Sequence, residues 1–147
     1  MGSIFDPVKL IHQLNRKSIR YLLIGRQSVV QYGAPLFSFD YDFWVHPDDR
    51  NATFKIIESF GLTSGLEKKS DIRDKKPIVV FDDDEGNKVD VFFTRTMASK
   101  KKDISVHFDK AFARAVIKKD ARSDFSVRIP HIDDLILLKQ IADMAPK

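Results

Sequence analysis

The 147 residues allow one domain with a sizeable core, and 43% hydrophobic with 31% charged residues is the balance of an ordinary globular protein. The absence of cysteine excludes disulfides and thiolate metal sites, and no apolar run approaches the ~20 residues of a membrane span. A net charge of +4 permits an anionic partner without demanding one.

No signal-peptide pattern opens the chain, because Asp6 and Pro7 come too early. The expectation is a cytoplasmic protein with no membrane partner. Asp6-Pro7 reads as an N-cap followed by proline at the first helical position, and Val8, Ile11 and Leu14 then share a helical face. Arg20 to Ile24 is a short apolar run typical of a buried strand, ending at Gly25. Gln27 to Tyr32 suits a helix closed by Gly33. Phe39 to Val45 is a strand rich in aromatic residues. Pro47, Asp48 and Asp49 open another helix, with Ala52, Ile56, Ile57 and Phe60 as its apolar stripe and Gly61 as its stop.

Ile78 to Phe81 and Lys88 to Phe93 read as two strands joined by a turn through Glu85-Gly86-Asn87, an antiparallel hairpin. Lys100 to Lys119 is ambiguous, with Phe108 to Val116 helical in character; Phe125 to Ile129 suits a strand. Pro130 precedes a last helix over 131–144, with Asp133 and Asp134 in its first turn and Leu135, Leu138 and Ile141 inward. The order predicts a single α/β or α+β domain over 1–147 with a mixed sheet.

Asp40 and Asp42 are two residues apart on one strand, so both project from one face while Phe39, Tyr41 and Phe43 project from the other. In the later strand Val89, Val91 and Phe93 share a face and Asp90 lies opposite. Unpaired carboxylates in such strands are costly, and a bound Mg²⁺ removes the conflict because hard cations prefer oxygen ligands. The alternative is a solvated sheet face on which Asp40, Asp42 and Asp90 are ordinary exposed residues.

Gly25-Arg26-Gln27-Ser28 lies between a strand and a helix. Glycine there lets the backbone turn sharply, and free N–H groups at a helix start suit a phosphate, with Ser28 adding a hydroxyl donor and Arg26 a guanidinium. A plain strand-to-helix turn is the alternative. Four histidines, at 12, 46, 107 and 131, lack zinc spacing; His46 and His131 suit helix caps. Tyr41 suits core packing, whereas Trp44 is a candidate for stacking on a base. Asp82 to Glu85 reads as a solvated acidic run, and the lysine clusters at 68–69, 75–76, 100–102 and 118–119 as solvated surface with RNA as the minority reading.

Together, Leu22-Leu23-Ile24-Gly25-Arg26-Gln27-Ser28, Asp40-Tyr41-Asp42-Phe43-Trp44-Val45 and Val89-Asp90-Val91-Phe92 resemble the nucleotidyltransferase superfamily with the polymerase-β-like fold. The order is closest to the compact group related to abortive-infection and toxin–antitoxin nucleotidyltransferases, where a late helix supplies a lysine to the nucleotide; Leu135-Ile136-Leu137-Leu138-Lys139 matches that element. The resemblance implies a mixed twisted sheet flanked by helices. It also implies two Mg²⁺ or Mn²⁺ ions held by Asp40, Asp42 and Asp90, an NTP whose outer phosphates meet Gly25, Arg26 and Ser28, and Lys139 at the pyrophosphate. Asp90 would serve as general base. The reaction implied is transfer of a nucleoside monophosphate to an acceptor hydroxyl, on an RNA or tRNA 3′ end, a protein or a small molecule, with an antitoxin-like protein as a candidate partner.

Two features depart from the pattern. Arg26 replaces the usual second small residue of the turn, and either contacts phosphate or obstructs it. After the lysine helix, where related proteins carry an arginine and further acids, this sequence has only Asp143-Met144-Ala145-Pro146-Lys147. Both departures leave open a non-catalytic nucleotide-binding or interaction module on the same fold. A metal-dependent nuclease ranks last, because no lysine or histidine beside the acids is in evidence from the sequence.

Overall fold

Asp6 starts the chain's first helix as expected. The computed structural model describes residues 5–25, 40–64, 77–119 and 125–142. The Asp6 carboxylate accepts hydrogen bonds from the Val8 and Lys9 N–H groups at 3.0 and 3.4 Å, and α1 runs over Pro7–Arg16. Leu10, Ile11 and Leu14 are its buried residues. Val8 is 50% exposed, a correction to the expected stripe: Leu10, adjacent to Ile11, takes the inward position.

Strands β1 (Tyr21–Ile24), β2 (Asp40–Val45), β3 (Ile78–Asp82) and β4 (Lys88–Phe92) form one sheet in the order β1-β2-β4-β3. The β1–β2 and β3–β4 pairs are antiparallel and the central β2–β4 pair is parallel, so the sheet is mixed. The chain crosses between the parallel strands by way of a short 3₁₀ turn at Pro47–Asp49, the helix α2 (Arg50–Glu58) and the β3–β4 hairpin. The acidic run at the hairpin turn is partly structural: Asp83 accepts from the Glu85 and Asn87 N–H groups, both at 3.0 Å, and from the Asn87 side chain at 2.9 Å.

One sheet face carries the main core. Tyr21, Leu23, Phe43, Val45, Val79, Phe81, Val89 and Val91 meet Leu10 and Leu14 of α1 and Phe54 and Ile57 of α2. Tyr41 packs against this cluster, as expected. The α2 stripe is shifted from its expected register: Thr53, Phe54 and Ile57 are buried, Ala52 is exposed, and Ile56 and Phe60 are half-buried. The cause is Phe54, which packs edge-on to Phe81 and stacks on Phe93, with the Arg50 guanidinium 4.9 Å from the Phe93 ring centre.

The opposite face is covered over part of its area by the segment that was ambiguous in sequence. That segment forms β6 (Ile104–His107), α3 (Phe108–Ala113) and β7 (Val116–Lys119), and β6 pairs with β5 (Thr96–Ser99), which precedes it. The helix therefore stops three residues before the expected Val116, which begins a strand paired with β8 (Ser126–Ile129). Val106, Phe108, Ala111 and Leu138 of the last helix, α4 (Ile132–Ala142), pack on Leu22, Ile24 and Trp44. All of β1 is thus buried on both sides, which explains its unbroken apolar run. Among the described residues, no helix is long and apolar enough to cross a membrane.

Candidate active site

Two aspartates meet at the centre of the sheet. Because β2 and β4 are parallel with Asp42 in register with Asp90, alternation puts both side chains on the same face, on neighbouring strands. The same row contains Ile24 of β1 and Val80 of β3. One residue pair further along, Trp44 and Phe92 belong to the covered part of this face; one pair back, Asp40 stands in register with Lys88. Asp40 is the first residue of β2, and its side chain lies outside the described residues, as do Arg26 and Ser28. Among the described residues, no three acidic or imidazole side chains converge as a metal-binding group.

Gly25 follows β1 and faces Asp42. Its φ is +72°, which side chains disfavour. A Cβ at this position would run into the Asp42 carboxylate oxygen and lie 3.2 Å from its Cγ. The glycine is required twice over, by backbone conformation and by the close approach of the carboxylate. The turn expected to meet phosphate is therefore built against one of the acids expected to hold metal.

The donor set fits a hard divalent ion: carboxylate oxygens from adjacent strands, with no sulfur and no imidazole among them. A cation already serves this row. The Lys88 ammonium lies 3.6 Å from Asp90 Oδ2, with side-chain exposures of 43% for Lys88 and 22% for Asp90. Sequence reasoning missed Lys88, although its spacing of two from Asp90 on a strand placed it on the same face.

Lys139 is an exposed residue of α4. Its neighbour Leu138 belongs to the buried cluster that includes Leu22, Ile24 and Trp44, and α4 packs on β5 and β6. The helix is pinned at its start. Asp134 is buried and receives a bidentate hydrogen bond from Arg114 at the end of α3, with Nε to Oδ2 at 2.8 Å. A charge expected only to complement the helix dipole is also an anchor for the lysine helix.

Trp44 is a correction. It is fully buried, lies edge-on to Phe108 and donates its indole N–H to the Thr94 carbonyl at 2.7 Å, so no base can stack on it. The histidine caps are as expected: His46 Nδ1 accepts from the Asp48 N–H at 3.0 Å and His131 Nδ1 from the Asp133 N–H at 3.1 Å. Beside His46, Arg20 clasps Asp49 through Nε and Nη2 at 3.0 and 2.9 Å. Burial pushes the Asp49 carboxyl up, but the Arg20 hydrogen bonds outweigh it and hold the group below the ordinary carboxylate range. A cavity of about 270 Å³ bounded by Asn15, Tyr21, Phe112 and Arg128 sits at the other end of β1 from Gly25.

No family model and no curated protein matches the chain in sequence. Solved structures do match in shape. A candidate nucleotidyltransferase from Thermotoga maritima superposes with a TM-score of 0.61 at 11% identity, over 92% of this chain and 83% of that one. The lincosamide antibiotic adenylyltransferase LnuA, with lincomycin bound, gives 0.60 at 11% identity over 93% and 94% of the two chains. The antibiotic-resistance factor ANT(2'')-Ia gives 0.53 at 15% identity over 88% and 68%. The mixed sheet, the flanking helices and these superpositions agree: the chain has the nucleotidyltransferase fold.

Proposed function

We propose that this protein is a metal-dependent nucleotidyltransferase that moves a nucleoside monophosphate from an NTP to an acceptor hydroxyl. The observation that carries the reading is the register of Asp42 with Asp90 beside the Gly25 turn. Asp40, Asp42 and Asp90 would hold two Mg²⁺ or Mn²⁺ ions, which when bound stabilise the attacking and leaving oxygens of an in-line displacement. The chain's own residues do the rest. Asp90 accepts the proton of the acceptor hydroxyl. The acceptor oxygen bonds to the α-phosphorus, the bond to the bridging oxygen breaks, and pyrophosphate leaves. Gly25, Arg26 and Ser28 would hold the outer phosphates, and Lys139 of α4 would offset charge on the departing pyrophosphate.

The surface beside Asp90 bears on the acceptor. Val80 and Ile78, on the same face of edge strand β3, are 39% and 49% exposed. An exposed apolar strip suits the body of a small hydroxyl-bearing molecule better than a phosphate backbone. Lincomycin, the antibiotic bound to LnuA, is of that kind. An RNA acceptor is the second reading, favoured by the exposed Lys100 to Lys102 at the β5–β6 turn. A toxin–antitoxin role would accompany that second reading.

The test is incubation with each α-phosphate-labelled NTP, Mg²⁺ or Mn²⁺, and three acceptor pools: total tRNA, lysate protein, and hydroxyl-bearing small molecules including lincomycin. The expected outcome is label on a small acceptor with equimolar pyrophosphate. Label on tRNA would select the second reading. Stabilisation by NTP and Mg²⁺ with no labelled product in any pool would contradict catalysis and leave a nucleotide-binding module.

A further inference from the structure

Among the described residues, Lys88 is a charged group beside the carboxylate row that the mechanism above leaves unused. It stands two residues before Asp90 on the same face of β4, with its ammonium 3.6 Å from Asp90 Oδ2. It is also in register with Asp40 on β2 and with Asp82 on β3, so carboxylate-bearing residues flank it on both neighbouring strands. In-register carboxylates on paired strands sit about 5 Å apart and repel. A positive charge beside Asp90 relieves that repulsion. Lysine, unlike arginine, is a point charge on a flexible stem with no planar fork to lock it in place. With its side chain 43% exposed, the ammonium is free to leave.

We propose that Lys88 is a built-in counter-cation that neutralises Asp90 in the metal-free protein and competes with a divalent ion for that carboxylate. The inference rests on the reading of Asp42 and Asp90 as metal ligands. When the ion binds, the ammonium moves off Asp90, and Asp82 across the β3–β4 pair offers it a second carboxylate. Divalent ions therefore bind weakly to the free protein and more tightly once a triphosphate adds its negative charge, so metal and nucleotide bind with positive coupling. Lys88 is a positioning residue in this account: it sets the charge of the row and touches neither phosphate nor acceptor.

The experiment measures Mn²⁺ binding without nucleotide, by the paramagnetic resonance of the free ion, alongside thermal melting in EDTA. Lys88→Met is expected to bind Mn²⁺ about tenfold more tightly than the unaltered protein, the size of one screened charge at this range. It is also expected to melt lower in EDTA, with the deficit removed by saturating Mn²⁺. Lys88→Arg keeps the charge and is expected to stay within about twofold of the starting affinity by the same charge argument. Lys88→Gln serves if the methionine variant folds poorly. In a Lys88→Met, Asp90→Asn double variant the gain disappears. Equal or weaker Mn²⁺ binding by folded Lys88→Met, with the unaltered protein binding normally, overturns the role of Lys88 alone. If neither protein binds Mn²⁺, the metal-ligand reading fails and this inference falls with it.

Discussion

The two faces of the four-stranded sheet are made by the same strands and differ sharply in what covers them. On one face, Phe43, Val45, Val89 and Val91 are fully packed beneath α1 and α2. On the other, Leu22, Ile24, Trp44 and Phe92 are covered, while along β2 and β4 the apolar residues give way to Asp42, Asp90 and Lys88. The first face is a continuous core. The second is half core and half site, with the division falling between one residue pair and the next along β2 and β4. Single-residue alternation thus serves both purposes, and the rigidity of the covered half holds the carboxylates of the open half in register.

Substitutions on either side of that division separate the roles. The largest effect belongs to the covered half of the second face. Trp44→Ala removes a fully buried ring and leaves the Thr94 carbonyl without its donor. It is expected to lower unfolding free energy by about 3–5 kcal/mol in a denaturant titration. A loss below about 1 kcal/mol, the range of surface substitutions, would mean that this face is no core. Next comes the turn at the open half. Gly25→Ala forces a side chain into a left-handed conformation and against Asp42. It is expected to reduce stability by about 2 kcal/mol and to displace the carboxylate, so nucleotidyl transfer falls more steeply than stability. Unchanged transfer would detach the glycine from the site.

The smallest effect lies at the far end of the sheet, in the Arg20–Asp49 pair. The carboxyl of Asp49 is held below its ordinary value in the folded protein, so the folded state binds its proton less readily than the unfolded chain. Its contribution is present above the ordinary carboxylate pKa and is lost as pH falls through the depressed folded value. Exposure of Arg20 to solvent screens the pair and keeps the effect the smallest of the three. Melting of the unaltered protein is expected to fall more than that of Asp49→Asn as pH drops below about 4, the ordinary carboxylate value. Parallel curves would show that the pair contributes nothing.

The sequence revealed the packed face more fully than the open one. The Asp6-Pro7 start, the apolar run of β1, the alternation in β2 and the hairpin from Ile78 to Phe92 all follow from local rules, and all stand in the structure. Helix stripes were less exact: Val8 and Ala52 point outward because neighbours one or two positions away fill the core. Lys100 to Lys119 stayed ambiguous, apart from the helical character at Phe108, because β6 and β7 are four residues each and pair only in short antiparallel ladders, so no periodicity develops. In the site, alternation alone placed Asp42 on the non-core face. Its pairing with Asp90 depends on β2 and β4 being parallel neighbours; the family resemblance implied that the acids share a site but not the strand pairing that aligns them. Lys88 and the Arg114–Asp134 anchor escaped because their partners are defined by packing.

The central claim is that Asp42 and Asp90 act together. Its most direct measurement is transfer of label from an α-phosphate-labelled NTP by Asp42→Asn and Asp90→Asn, beside the unaltered protein, with melting curves to confirm folding. Each variant is expected to fold and to lose transfer by about a hundredfold or more, as removal of a metal-holding carboxylate or general base demands. Full transfer by either folded variant would contradict the site.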